Sequence, residues 1–128
     1  MAKILIVDDE STLVLLMRTV LERSGHTIED AANGQEALAK LGVEPENPAA
    51  PLPDLILLDV MMPIVDGLTV ASTLRDHPRA GNIPILVITA KGDMRTLFEA
   101  MPQVAGFFQK PFDPKSLRDA VNKAVPPK

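Results

Sequence analysis

Residues able to do acid, metal or phosphoryl chemistry follow short apolar runs in this sequence. An Asp-Asp-Glu run at 8–10 follows KILIV, and Asp59 follows DLILL. Thr89 closes PILVIT, and Lys110 comes directly after GFFQ. Carboxyl ends of parallel strands meet at one edge of a sheet, and ligands of open α/β sheets bind there. If the strands that they follow are neighbours in the sheet, these side chains converge on one rim.

Carboxylates held close together at such a rim repel one another unless a cation lies among them. Magnesium prefers oxygen ligands in octahedral geometry and keeps several waters, so Asp8, Asp9 and Asp59 form a candidate magnesium site. Lys110 adds a positive charge and Thr89 a hydroxyl donor, which together suit a phosphoryl group. An aspartate can attack phosphorus to form an aspartyl phosphate, and Asp59 is the most central candidate.

Each of these residues also has a purely structural interpretation. Asp8 and Asp9 could be turn and N-cap residues before a helix that begins near residue 11. Asp59 could simply end a strand, Thr89 could be an ordinary β-branched strand residue, and Lys110 a solvated loop lysine. The functional interpretation rests on the coincidence of all of them at strand ends.

The elements that must position these residues alternate along the chain. Continuous apolar runs rich in Ile, Val and Leu are typical of parallel strands covered on both faces, and helical periodicity fills the segments between them. The predicted strands are 3–7, 26–31, 54–58, 84–89 and 106–109, and the predicted helices are 11–25, 33–42, 66–78, 91–102 and 113–125. This alternation predicts a parallel sheet with helices on both faces.

Local signals refine three of these segments. In the first helix, Leu13, Leu16, Met17, Val20 and Leu21 have the spacing of a buried face. The last helix begins with Asp113 as N-cap and Pro114 at its first position. The proline-rich segment 42–54 shows no periodicity and is predicted to be a surface loop.

Composition excludes several functional classes. The 128 residues suit one domain, 46% of them are hydrophobic, and the net charge is -4, which argues against direct nucleic-acid binding. No cysteine is present, so disulfides, thiolate metal sites and cysteine nucleophiles are excluded and a reducing cytoplasm is favoured. No run is long enough for a membrane span or a signal peptide.

Five segments together resemble the receiver domain of two-component response regulators. They are ILIVDDE, AANGQEAL, DLILLDVMMPIVDG, PILVITA and FFQKPFD, in family order and across essentially the whole chain. The resemblance implies one receiver domain at residues 1–128. It also implies a flavodoxin-like, doubly wound five-stranded parallel sheet of order 2-1-3-4-5 with five helices.

The resemblance also assigns roles around the acidic rim. It implies that Asp59 is the phosphoacceptor, that Asp9 binds magnesium directly, and that Asp8 does so mainly through water. The backbone carbonyl of Met61 would complete the protein ligands.

Further roles implied by the resemblance concern the last strand. Lys110 would pair with the phosphoryl group, and the Lys110-Pro111 bond would be cis, which costs little before proline. Thr89 and Phe107 would form the switch pair that changes the face of the fourth helix, fifth strand and fifth helix. A core role for Phe107 in both states is the alternative.

The expected function is a cytoplasmic phosphoacceptor module, not an enzyme with a separate substrate. A histidine kinase or phosphotransfer protein would donate the phosphoryl group, and a downstream protein would read the switched face, where a homodimer could also form. Two alternatives are an aspartyl-phosphate phosphatase or phosphotransferase, and a receiver-like domain that binds without phosphorylation. Met61 disfavours the first, because such enzymes need an acid two residues after the nucleophile.

Overall fold

A computed structural model describes residues 2–60, 62, 64–89, 101–110 and 112–125. Five strands form one parallel sheet: β1 (Lys3–Val7), β2 (Thr27–Ala31), β3 (Leu55–Asp59), β4 (Ile85–Thr89) and β5 (Val104–Gln109). Their order is β2-β1-β3-β4-β5. All five strands were predicted within two residues at each end, and the predicted flavodoxin-like topology is confirmed.

Both faces of the sheet are buried, as the continuous apolar runs predicted. Alternate residues of β1, β3 and β4 point to opposite faces, so each strand contributes to two separate hydrophobic clusters. One cluster includes Leu5 and Leu58, and the other includes Ile4 and Leu57. The sheet is therefore the middle of three layers.

Four helices cover the sheet in the part of the chain that is described. They are α1 (Ser11–Arg23), α2 (Gly34–Lys40), α3 (Gly67–Arg75) and α4 (Pro114–Ala124). The cluster beneath α2 and α3 lies on one face of the sheet, and the cluster beneath α1 and α4 lies on the other. The predicted helix at 91–102 falls mostly outside the described residues, so α4 corresponds to the fifth predicted helix.

Three of the four helices begin with a side-chain cap. Asn33, Asp66 and Asp113 each accept a hydrogen bond from the backbone N–H three residues later. The predicted N-cap at Asp113 and the proline after it are confirmed. Helix α1 differs, because its N-cap residue Glu10 makes no side-chain capping bond.

The buried face of α1 differs in part from its prediction. Met17 and Leu21 are fully buried, and Leu13 and Val14 pack against the same cluster. Leu16 is instead 41% exposed. The stripe that faces the sheet is rotated from the predicted one, so Leu16 lies beyond its edge.

The loop between α2 and β3 lies over the α2 and α3 side of the core. Leu52 packs against that cluster, and the Arg79 guanidinium donates hydrogen bonds to the carbonyls of Gly42 and Asn47. The Glu44-Pro45 peptide bond is cis. Residue 111, and with it the predicted cis bond at Pro111, lies outside the described residues. No described helix is long and apolar enough to span a lipid bilayer.

Gly67 holds the start of α3 tightly against the end of β3. Its N–H donates to the carbonyl of Val60, and an added Cβ would lie 2.3 Å from the carbonyl oxygen of Asp59. We expect Gly67→Ala to lower the free energy of unfolding by about 2–4 kcal/mol, because backbone atoms would have to move. Urea denaturation measures this change.

Gly106→Ala in β5 is the matched control for that substitution. A Cβ there would meet only the end of the Leu86 side chain, at 3.1 Å, which can rotate away. We expect a loss well below that of Gly67→Ala. Equal losses at the two positions would contradict the argument from close backbone approach.

Candidate functional site

Four strands bring the predicted site residues to one rim of the sheet. Asp8 follows β1, Asp59 is the last residue of β3, and Thr89 is the last of β4. Lys110 follows β5, and its N–H donates to the carbonyl of Thr89 at 2.8 Å. Because β1, β3, β4 and β5 are parallel neighbours, their carboxyl ends open on the same side.

Three carboxylates cluster at this rim. Asp8, Asp9 and Asp59 each offer an oxygen, and the three oxygens lie within 4.8 Å of one another. Asp8 and Asp59 are buried, each 3% exposed, whereas Asp9 is exposed. The structure therefore brings together the three side chains that were predicted to bind magnesium.

The Lys110 ammonium lies among these carboxylates. Its Nζ is 3.4 Å from Asp59 Oδ1 and 3.2 Å from Asp8 Oδ2, and it donates a hydrogen bond of 2.8 Å to Glu10 Oε1. The lysine side chain is only 13% exposed. Lys110 was predicted to lie beside these carboxylates, and the structure places it there.

The cluster shifts the acid–base properties of its members. Burial raises the pKa of Asp59 to about 6, and the nearby charge of Asp8 adds to the rise while Lys110 opposes it. Burial also raises the pKa of Asp8. Burial alone would lower the pKa of Lys110, but the bond to Glu10 and the charges of Asp59 and Asp8 raise it to about 12.

The donor set fits a hard divalent cation. All three candidate ligands are carboxylate oxygens, which magnesium prefers. Asp8 Oδ2 is buried and accepts no hydrogen bond from the described residues, although Lys110 Nζ lies 3.2 Å away. A buried carboxylate oxygen whose described contact is this ion pair can take a metal cation as a further partner. Residue 61, the source of the predicted carbonyl ligand, lies outside the described residues.

Asp8 and Asp9 do not cap α1, so the N-cap part of their structural interpretation is wrong, whereas the turn part holds for Asp8. The N-cap position is taken by Glu10. Asp8 Oδ1 does accept a hydrogen bond from the Glu10 N–H at 2.9 Å, so Asp8 shapes the turn before the helix. This leaves its second oxygen directed into the cluster.

The two predicted switch residues lie on neighbouring strands. Thr89 is buried, 3% exposed, at the end of β4. Phe107 pairs with Val87 across β4 and β5, is partly buried, and packs against the cluster beneath α2 and α3. Phe107 therefore has a core contact in this structure.

Glu10 was predicted to lie at this rim as part of the Asp-Asp-Glu run, but no role was assigned to it. A glutamate is a poor N-cap, because Ser, Thr, Asp and Asn are the residues whose side chains reach the first turn. An acidic residue at that position without a capping role points toward the neighbouring rim. Its bond to Lys110 is the feature that the sequence did not reveal.

A family model described as the response regulator receiver domain matches residues 4–122. Among curated relatives, the alkaline phosphatase synthesis transcriptional regulatory protein PhoP of Bacillus subtilis is 39% identical over 130 residues, covering 96% of this chain and 48% of PhoP. The transcriptional regulatory protein ResD of the same organism is 39% identical, covering 90% of this chain and 44% of ResD. The chain thus spans about half the length of these relatives.

Solved structures give the same result. The chemotaxis protein CheY4 of Vibrio cholerae superposes with a TM-score of 0.84 at 29% identity, covering 98% of this chain and 99% of that one. The response regulator protein TrrA of Thermotoga maritima, solved in complex with Mg(2+)-BeF, has a TM-score of 0.81 at 30% identity, covering 98% of this chain and all of its own. The family match, the strand order and the acidic rim together show that the chain belongs to the response regulator receiver domains of two-component signal transduction.

Proposed function

We propose that the chain, as one receiver domain over residues 1–128, is a signalling module phosphorylated on Asp59. The phosphoryl donor is a histidine kinase or a phosphotransfer protein. The observation that supports this most directly is the environment of Asp59: a buried carboxylate at the end of a central strand, 3.4 Å from the Lys110 ammonium and beside two further aspartates. The module acts on its own side chain and has no separate substrate.

In the proposed reaction an Asp59 carboxylate oxygen attacks the phosphorus of a phosphohistidine. The new O–P bond forms as the P–N bond breaks, and the electron pair of that bond returns to the imidazole nitrogen of the donor. Lys110 pairs with the phosphoryl oxygens, and Thr89 offers its hydroxyl from the end of β4.

Magnesium is the proposed cofactor. Asp9 would hold it directly, Asp8 mainly through water, and Asp59 and the backbone carbonyl of Met61 would complete the set. When bound, Mg²⁺ supplies positive charge that neutralises the phosphoryl oxygens during transfer. The all-oxygen donor set of the described residues supports this assignment, as does the Mg(2+)-BeF complex of the relative TrrA.

The proposed output is a change in a protein-binding face. Thr89 would move toward the phosphoryl group, and Phe107 would follow into the space beside it. The face affected consists of the predicted helix at 91–102, β5 and α4. A downstream protein would bind there, or a second copy of the chain. The cytoplasmic location stays a prediction.

Intact-mass measurement after incubation with acetyl phosphate tests this proposal. We expect wild-type protein to gain the mass of one phosphoryl group in magnesium and none in EDTA. Asp59→Asn should gain nothing in either condition. Asp66→Asn is the matched control, because it removes an exposed carboxylate that only caps α3, and an Asn caps equally well.

Two outcomes would contradict the proposal. Failure of the wild-type protein to form an adduct would favour a receiver-like domain that binds partners without phosphorylation. An adduct that persists in Asp59→Asn would move the acceptor to another residue.

A further inference from the structure

The shortest contact of the Lys110 ammonium is with Glu10, and its contacts with the two buried aspartates are longer. Nζ lies 2.8 Å from Glu10 Oε1, against 3.2 Å for Asp8 and 3.4 Å for Asp59. The Glu10 side chain is 57% exposed, so it holds the lysine from the solvent side of the rim. The buried aspartates attract the same cation from below.

Glu10 occupies a position where a different residue would serve the helix better. It is the N-cap of α1 but does not bond the first turn, whereas Asn33, Asp66 and Asp113 all cap their helices. Residues that give up a local stabilising role are often found at functional sites. The carboxylate of Glu10 is directed to Lys110 instead.

We infer that Glu10 is a positioning residue that holds Lys110 at the rim in the unphosphorylated protein and competes with the phosphoryl group for it. This inference rests on the proposed phosphorylation of Asp59. A phosphoryl group near Asp59 carries negative charge and draws the ammonium inward. The bond to Glu10 then has to weaken, so Glu10 favours the unphosphorylated state.

The size of the effect follows from the exposure of Glu10. Ion pairs of partly exposed side chains contribute little, and salt screens them further. Removal of the Glu10 charge is therefore expected to strengthen binding of a phosphoryl mimic by about 2- to 5-fold at low ionic strength. The gain should shrink at high salt.

Titration calorimetry with beryllofluoride in saturating magnesium measures this affinity, since the chain has no Trp or Tyr for fluorescence. We expect Glu10→Gln and Glu10→Ser to bind the mimic more tightly than wild type. Glu10→Ser also restores a good N-cap. Equal gains in affinity in the two variants would therefore come from the loss of charge and not from a change in helix stability. Glu22→Gln is the control, because it removes the same charge from the same helix about 18 Å away.

The route through Lys110 is tested by repeating Glu10→Gln in Lys110→Met. We expect the gain to disappear there, because no ammonium remains for Glu10 to hold. A gain of equal size in that background, or in Glu22→Gln, would overturn the inference in favour of a general charge effect. Unchanged or weaker binding by Glu10→Gln and Glu10→Ser would overturn it as well. Wild-type protein that binds no mimic would overturn both the proposed function and this inference.

Discussion

Asp59→Asn is expected to make the protein more stable at the same time as it abolishes phosphorylation. In EDTA at pH above about 6, we expect the free energy of unfolding to rise by about 2–3 kcal/mol. Burial and the charge of Asp8 raise the pKa of Asp59 from 3.8 to about 6, so its ionised form opposes folding. The amide keeps the shape of the side chain and removes that charge.

The sign of the pH dependence follows from the raised pKa. A carboxyl whose folded pKa lies above its unfolded value stabilises the fold in its protonated form, below the unfolded pKa. That contribution is lost as the pH rises from about 3.8 to about 6. The advantage of Asp59→Asn should therefore be full above pH 6 and decline toward zero as the pH falls to about 4.

Thermal unfolding in EDTA at pH 7.5 and at pH 4.5 measures this difference. At about 3 °C per kcal/mol for a domain of this size, the gain at pH 7.5 corresponds to about 6–9 °C. Asp66→Asn should change the midpoint little at either pH, because it removes an exposed charge. A loss of stability in Asp59→Asn would instead identify Asp59 as a structural carboxylate.

The strands and most helices could be predicted because their signals are local. Continuous apolar runs such as KILIV and LILL favour strands buried on both faces, and caps such as Asp113 mark helix starts. Strand order is different, because it depends on contacts between distant segments. Here the order came from the family resemblance and not from periodicity.

The helix face of α1 shows where local signals fail. Periodicity predicted one buried face made of Leu13, Leu16, Met17, Val20 and Leu21. The face that packs on the sheet contains Leu13, Val14, Met17 and Leu21, and only packing against the sheet decides this rotation. The structure buries Met17 and Leu21 and leaves Leu16 exposed.

The topology of the sheet predicts which residues meet at the site, but it does not predict every bond between them. Once the strand order is given, the carboxyl ends of neighbouring parallel strands bring Asp8, Asp59 and Lys110 to one rim, so their convergence could be predicted. The bond from Lys110 to Glu10 depends on the extended backbone of Glu10 and the reach of two long side chains. The residue types give the reach of the side chains, but the backbone conformation that directs Glu10 toward Lys110 is not visible in the sequence.

Lys110→Met is expected to lower the stability of the fold, whereas Asp59→Asn is expected to raise it. Lys110 is the cation that the described residues place between Asp8 and Asp59, and its removal leaves two buried carboxylates facing each other. Removal of one partner from a buried ion pair is strongly destabilising. We expect the free energy of unfolding to fall by about 2–4 kcal/mol in EDTA at pH 8. The deficit should shrink at lower pH, as the carboxylates become protonated.

The double variant Lys110→Met/Asp59→Asn separates this explanation from a simple packing loss. If Lys110 offsets the charge of Asp59, the Asn substitution must gain more stability in the Met background than in wild type, by about 1–2 kcal/mol. Urea denaturation of the four proteins of the cycle gives this coupling. Equal gains in both backgrounds would mean that Lys110 stabilises the fold through its aliphatic chain. A positive coupling would show that the ammonium proposed to pair with the phosphoryl group already balances the charge of Asp59, the proposed acceptor.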